Sequence, residues 1–195
     1  ALLAEARRQT VSLSNITVET ATADLAADPA AGFAEPFDLA VTSAFLDLVS
    51  PAWIGALADA LKRLRKPFYA ALTYDGRASF APFHPLDAVM IDAFNRHQRT
   101  DKGFGPAAGP DGAAVALQAF RERGFTVEHA PSDWQFGPTD QAIQRPMIDG
   151  WANAAREIGV SVRDVETWSA ARHAAIDAGT ATMLIGHQDI LAHWP

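Results

Sequence analysis

The chain has 195 residues, of which 49% are hydrophobic and 20% are charged, and its 16 Lys and Arg against 23 Asp and Glu give a net charge of -7. This acidic balance disfavours binding to nucleic acid, because the release of counterions from phosphates requires a concentrated basic surface. The absence of cysteine excludes disulfides, thiolate metal sites and cysteine nucleophiles. No apolar run reaches the roughly 18–20 residues that span a bilayer. We therefore expect a soluble, cytoplasmic protein that does not associate with a membrane.

The first residues have the pattern of a helix. In ALLAEARRQ the apolar Leu2, Leu3 and Ala6 share one face, and no Ser, Thr, Asp or Asn stands before them to cap the first turn. We expect that natural sequence precedes Ala1. A frayed terminus of a complete protein is the alternative, and it stays open.

Short apolar segments alternate with amphipathic helical segments along the rest of the chain. The β-branched run at 16–22 and the apolar runs predict five strands, at 16–22, 37–42, 68–74, 125–129 and 180–187. Ser50-Pro51 opens a helix, and apolar residues at helical spacing predict further helices over 85–94, 110–123, 140–157 and 162–178. This alternation favours a parallel sheet covered by helices on both faces, in a single α/β domain over 1–195.

Several familiar chemical motifs are absent or incomplete. The glycines of GFGPAAG at 103–109 are spaced one residue too widely for a dinucleotide loop, Pro106 lacks the N–H that a phosphate needs, and no predicted strand precedes them. The six histidines show no H-E-x-x-H spacing, and His187 with Asp189 is a weak pair that is most often structural, so we expect no metal site. No G-x-S-x-G nucleophile motif occurs.

A polar segment follows the helix predicted at 85–94. Its residues, NRHQRTDK, lie between that helix and a loop rich in Gly and Pro, within the region 81–112. One interpretation is a solvated helix end whose cations favour the helix dipole. The other is a lid above the carboxyl ends of the strands, where open α/β sheets bind ligands. In that lid, His97, Arg99 and Lys102 would recognise a carboxylate or phosphate of the substrate.

Two carboxylates follow the strands predicted at 37–42 and 68–74. Asp75, which comes after Tyr74, is either a turn former before Gly76 or a group at the sheet edge beside the substrate. Asp47 is either a helix-start residue or a second group of that kind. In the functional interpretation, Tyr74 would bind the substrate, and either carboxylate would orient a hydroxyl or amine of the substrate, or take its proton.

Six segments follow one another in a recognisable order: ALLAEARR, VETATADLA, PFDLAVTSAFLDLVS, RKPFYAALTYDGR, GFTVEHAPSDW and ATMLIGHQDILA. The first resembles the helix after the second strand of the class I S-adenosylmethionine-dependent methyltransferases. The others resemble the third to seventh strands of that family with their adjoining loops. The resemblance covers almost the whole chain.

The resemblance implies a Rossmann-like methyltransferase sheet of strand order 3-2-1-4-5-7-6, mostly parallel with its last strand antiparallel, and a helical insertion on the substrate side at 81–112. It implies S-adenosylmethionine as cofactor, with Asp24 and Leu25 flanking the adenine and Thr42 and Ser43 bordering the cofactor at the end of the fourth strand of the family. The implied reaction is methyl transfer to a small molecule. Such an in-line displacement depends on alignment more than on a strong acid or base.

Two parts of the family pattern are not in this sequence. They are the glycine-rich loop after the first strand and the acidic residue that ends the second strand, and we expect both upstream of Ala1. Their absence leaves open a non-catalytic scaffold that keeps the sheet but binds no cofactor, and another nucleotide-dependent enzyme such as a reductase. The methyl acceptor and the formation of a homo-oligomer are not readable from the sequence.

Overall fold

The computed structural model describes residues 2–10, 15–33 and 36–194. Its helices and strands, with a short 3-10 turn at Gly109–Asp111 before α4, are α1 (Leu2–Thr10), β1 (Ala40–Ser43), α2 (Pro51–Leu64), β2 (Phe68–Ala81), α3 (Asp87–Gln98), α4 (Gly112–Glu122), β3 (Thr126–Pro131), β4 (Trp134–Phe136), α5 (Gln141–Glu157), α6 (Val162–Asp177) and β5 (Thr182–His193). The predicted helices are confirmed, with ends that differ from the prediction by a few residues.

Helix α2 shows why these boundaries were readable. The side chain of Ser50 accepts a hydrogen bond from the backbone N–H of Trp53 at 3.2 Å, and Pro51 occupies the first turn, where its missing N–H costs nothing. The last turn carries Lys62 and Arg63, whose charges complement the carbonyl end of the helix. Local chemistry alone defines both ends of this helix.

The five strands form one mixed sheet in the order β1-β2-β5-β3, and β4 also pairs with β5. Strands β1 and β2 are parallel, whereas β5 runs antiparallel to β2, β3 and β4. The α/β class and the reversed last strand are therefore confirmed. The expectation of a mostly parallel sheet is not, because three of the four pairings among the described residues are antiparallel.

The strand predicted at 16–22 was wrong. The backbone of these residues belongs to no strand, and Ile16 and Val18 are 53% and 37% exposed. A run of alternating β-branched residues indicates only that the segment would fit a half-buried face of a β-sheet. Because no strand pairs with this segment in the described part of the chain, no sheet stabilises its preference for an extended backbone.

Strands β2 and β5 are longer than predicted. In β2, the Asp75-Gly76 pair is predicted to follow the end of the strand, but it lies within the strand. The pairing of β2 with β5 is irregular between Ala70 and Thr73 and again between Tyr74 and Ala78. Gly76 accommodates the second irregularity with φ of 85°, in the region that favours glycine. Asp75 is therefore part of an irregular strand, not of a turn that ends one.

Two hydrophobic cores share the long strands β2 and β5. The first lies between one face of the sheet and helices α2 and α4, and includes Phe68 stacked on Phe120 with ring centroids 5.1 Å apart. The second lies between the far halves of β2 and β5 and helices α3, α5 and α6, and includes Phe94 stacked on Trp151 at 4.2 Å. The irregular part of β2 lies where one core gives way to the other.

The region 81–112 contains α3 and the loop 99–108, and this loop returns the chain to the end of β1. The backbone N–H groups of Ala108 and Gly109 donate to the carbonyls of Val49 and Asp47, at 2.8 and 2.9 Å. This region therefore packs against the chain that leaves β1, the place at which the sequence suggested a lid.

Candidate functional site

An open cavity of about 480 Å³ lies beside β1. This volume falls within the range of about 300–1,000 Å³ that is typical of small-molecule sites. Leu25, Thr42 and Ser43, three of the four residues expected to contact a cofactor, line it together. The fourth, Asp24, is exposed next to Leu25, and its Oδ1 accepts hydrogen bonds from the N–H groups of the following turn.

Five aromatic side chains contribute to the cavity wall: Phe33, Phe37, Phe45, Trp53 and Phe68. The ring centroids of Phe33 and Phe37 are 5.1 Å apart, and those of Phe45 and Trp53, which meet edge-on, are 5.4 Å apart. Sequence reasoning had assigned Trp53 to the apolar stripe of α2 and had singled out none of these phenylalanines. Their signal was the recurrence of aromatic residues on both sides of the strand that carries Thr42.

The cavity offers few polar groups. The hydroxyl of Thr42 is buried without a hydrogen-bond partner among the described residues, and the ammonium of Lys66 lies 5.1 Å from the ring centroid of Phe37 behind the wall. A mostly apolar, aromatic space with a small number of polar atoms is suited to a planar ring system.

Asp47 is a buried carboxylate in the loop between β1 and α2. It is only 6% exposed, and its Oδ1 has no hydrogen-bond partner within the described structure. Burial raises the pKa of Asp47, and hydrogen bonds with the backbone of Asp47 and of Tyr74 act in the opposite direction. Since α2 begins at Pro51 with Ser50 as its cap, Asp47 does not serve as a helix-start residue.

Tyr74 lies in β2 beside this loop and is almost fully buried. Its hydroxyl donates to Oδ1 of Asn95 in α3 at 2.7 Å, and Nδ2 of Asn95 donates to the carbonyl of Gly76 at 3.1 Å. Burial raises the pKa of Tyr74, and the neighbouring charges of Asp75 and Asp47 add to the effect. The phenol is therefore a fixed donor, and Asn95, which sequence analysis had missed, determines its direction.

Asp75 is fully engaged within the protein. Its Oδ2 accepts from Nε and Nη2 of Arg77 at 2.8 and 2.6 Å and from Nε2 of Gln188 at 3.2 Å, and its Oδ1 accepts from the backbone N–H of Arg77. Arg77 also reaches Asp133, and its guanidinium holds the pKa of the Asp133 carboxyl below the usual range. Of the two carboxylates expected to take part in catalysis, Asp47 is the one with an unpartnered oxygen.

His97, Arg99 and Lys102 do not converge on one point. Nε2 of His97 lies 2.9 Å from a carboxylate oxygen of Glu157 in α5, and Arg99 donates to Asp111 at 2.9 Å on the opposite side of α3. The ammonium of Lys102 donates to the hydroxyl of Thr100 at 2.8 Å. Each of the three side chains has a hydrogen-bond partner within the chain itself.

His187 and Asp189 lie in β5, where this strand pairs with β2. Nδ1 of His187 lies 3.0 Å from the carbonyl of Ile185, so it carries the ring proton, because a carbonyl can only accept. Burial lowers the pKa of His187 and favours its neutral form. Asp189 accepts from the hydroxyl of Tyr69 and from the backbone N–H of Leu72, which adopts a left-handed φ of 55°. The two side chains therefore bind different partners.

Within the part of the chain that the structure describes, no three His, Asp or Glu side chains are arranged to hold a metal ion. In the same residues, no helix is both long enough and apolar enough to cross a membrane.

Comparisons with known proteins add no assignment. No protein-family model matches the chain, and a search of curated proteins finds no significant match.

Proposed function

We propose that this chain is an S-adenosylmethionine-dependent methyltransferase that acts on a small molecule, with the cavity beside β1 as its cofactor site. The observation that carries the proposal is the meeting of Leu25, Thr42 and Ser43 in one cavity. The resemblance named these residues from two segments well separated in sequence, and it did so without reference to any cavity.

The residues present fit the adenosine part of the cofactor. The aromatic walls formed by Phe33, Phe37 and Trp53 suit a planar ring, and Ser43, an exposed residue that lines the cavity, can hydrogen-bond to a polar atom on it. When bound, S-adenosylmethionine supplies a methyl group made electrophilic by its sulfonium. The glycine-rich loop that would hold the methionine part is not among these 195 residues.

The sheet gives partial support. The full family order has seven strands, and the five strands described here do not reproduce it. Within those five, the neighbours β1, β2, β5 and β3 follow one another as the fourth, fifth, seventh and sixth strands do in the family, and β5 is the reversed member. The additional pairing of β4 with β5 is not part of that order.

The role proposed for Asp47 is to take a proton from the methyl acceptor. Its raised pKa makes the ionised carboxylate a better base than an exposed aspartate. Tyr74, whose hydroxyl is committed to Asn95, would shape the acceptor side without exchanging a proton. Alignment of the acceptor would supply the larger part of the rate acceleration.

The second candidate is a scaffold of the same fold without activity. The observation that favours it is that Asp75, Arg99 and Lys102 are all bonded to groups of the chain itself. A binding experiment separates the two candidates, because the scaffold needs no affinity for the cofactor.

The experiment is a titration of the chain with S-adenosylhomocysteine, followed by ligand-observed NMR or calorimetry. Through the adenosine part alone we expect a Kd on the order of 0.1–1 mM. Ser43→Phe places a ring in the cavity and should abolish binding, whereas the matched change Ser79→Phe, at an exposed position of β2, should preserve it. No binding by the wild type, or equal binding by both variants, would refute the cofactor site.

A further inference from the structure

The cavity has an inner wall of regular elements and an outer wall of a different kind. The inner wall is made by β1 and α2. The outer wall, residues 24–33, is a series of turns whose backbone bonds are local, such as Asp28 N–H to Asp24 O at 3.2 Å and Phe33 N–H to Ala30 O at 2.9 Å. Local bonds maintain the shape of the outer wall, but they do not determine where it sits against the helix.

Trp53, a residue of α2, binds the outer wall through a hydrogen bond. Its indole Nε1 donates to the carbonyl of Leu25 at 2.6 Å, and its own side chain is well anchored, being only 7% exposed. The side chain of Leu25 lines the cavity. Breaking this hydrogen bond would free the outer wall at the position where it faces a ligand, while the rigid inner wall stays in place.

The same indole also contacts the loop 99–108. The ring of Phe104, in that loop, lies edge-on to the rings of Trp53 and Phe45. The separations between ring centroids are 6.0 Å to Trp53 and 5.5 Å to Phe45. Trp53 therefore contacts both the outer wall of the cavity and the loop 99–108, which lies behind the cavity lining.

We propose that the outer wall is a gate: the hydrogen bond from Trp53 to Leu25 holds it against α2, and the open cavity widens for a ligand to enter or leave when this bond breaks. In this scheme Trp53 is a positioning residue. The identity of the ligand rests on the proposed function, whereas the gate itself rests on the contacts of the ligand-free protein.

Hydrogen exchange of the ligand-free chain tests the gate. Trp53→Phe keeps an aromatic ring in the core but removes the N–H donor. Loss of one hydrogen bond worth about 1–1.4 kcal/mol should raise exchange about 5- to 10-fold at the amides of Asp28, Ala31 and Phe33. The matched variant Trp134→Phe, in β4 and remote from the cavity lining, should leave these amides unchanged.

Two results would overturn the gate. One is unchanged exchange in the outer wall of Trp53→Phe; the other is an equal rise in α2, which would mean that the variant loosens the whole core. If Trp53→Phe does not fold, exchange in the wild type decides instead, since the indole N–H of Trp53 is the donor of the gate bond. This N–H should exchange as fast as the amides of the outer wall and faster than those of α2, and an indole N–H that exchanges as slowly as α2 overturns the proposal.

A kinetic measurement separates this proposal from the proposed function. With S-adenosylhomocysteine as probe, stopped-flow binding to Trp53→Phe should show dissociation about 5- to 10-fold faster than from the wild type, since the same hydrogen bond is lost. Equal dissociation rates would overturn the role in ligand entry. A wild type that does not bind the probe would refute the cofactor site, and the exchange data would still decide whether the wall opens.

Discussion

The hydroxyl of Tyr74 donates a hydrogen bond to Oδ1 of Asn95 at 2.7 Å, and this bond joins the irregular part of β2 to the middle of α3. The same Asn95 side chain donates to the carbonyl of Gly76, so a single amide contacts β2 on both sides of Asp75. The region 81–112 is thereby held over the end of the sheet by a polar contact as well as by the packing of Phe94 and Trp151.

Removing the Tyr74 hydroxyl should destabilise the fold modestly. Tyr74→Phe leaves Oδ1 of Asn95 without its donor, and we expect a loss of about 1–2 kcal/mol in the free energy of unfolding. Asn95→Ala removes both bonds and should cost more. In urea denaturation the double variant should lose less than the sum of the single losses, because the two changes remove the same hydrogen bond. Strict additivity would contradict the pairing.

Asp47→Asn should change the pH dependence of stability. The folded-state pKa of Asp47 is raised above its ordinary value of 3.8, so the contribution of its protonated form is fully present below that value and is lost as pH rises through the folded pKa. The variant cannot ionise and should escape this loss. Its stability relative to the wild type should therefore grow from pH 3.5 to pH 7 in denaturant titrations. A constant difference over that interval would show that the buried carboxyl is not perturbed.

Gly186→Ala should be strongly destabilising. A Cβ at this position would lie 2.8 Å from Cβ of Arg77 and closer still to Oδ1 of Asp75, inside the Asp75–Arg77 pair. We expect a loss of about 1–3 kcal/mol. Gly150→Ala is the control, since Gly150 lies within α5 with nothing near its Cβ, and it should stabilise by about 0.5–1 kcal/mol. Thermal unfolding of the two variants should therefore shift in opposite directions.

Arg99→Ala distinguishes the two interpretations of the segment 95–102. The ion pair of Arg99 with Asp111 is half exposed on both sides, so its loss should lower stability by at most about 1 kcal/mol. Asp111→Ala should have a similar effect, and the double variant should add little. If the two single losses add strictly in the double variant, the guanidinium does not interact with Asp111 and remains available to an anionic acceptor.

The sequence by itself determined the elements whose signals are local. Ser50-Pro51 begins α2 because a hydroxyl cap and a proline satisfy the first turn without help from elsewhere. The apolar runs that became β1, β2 and β5 were readable because each has buried residues on at least one face, so composition and burial coincide. The residues of the cavity were readable in part, since Leu25, Thr42 and Ser43 belong to ordered segments of a resemblance.

Only the tertiary structure decided the features that need a partner distant in sequence. The run at 16–22 has the composition of a strand but is in no strand of the described residues, while β2 continues past Gly76 because β5 pairs with it as far as Ala81. Asp75 carries the same charge as Asp47, yet Arg77 and Gln188 occupy its oxygens and leave Asp47 as the carboxylate with a free one. Pairing, burial and hydrogen bonding of this kind depend on residues tens of positions apart, and local propensity contains no information about which of them will meet.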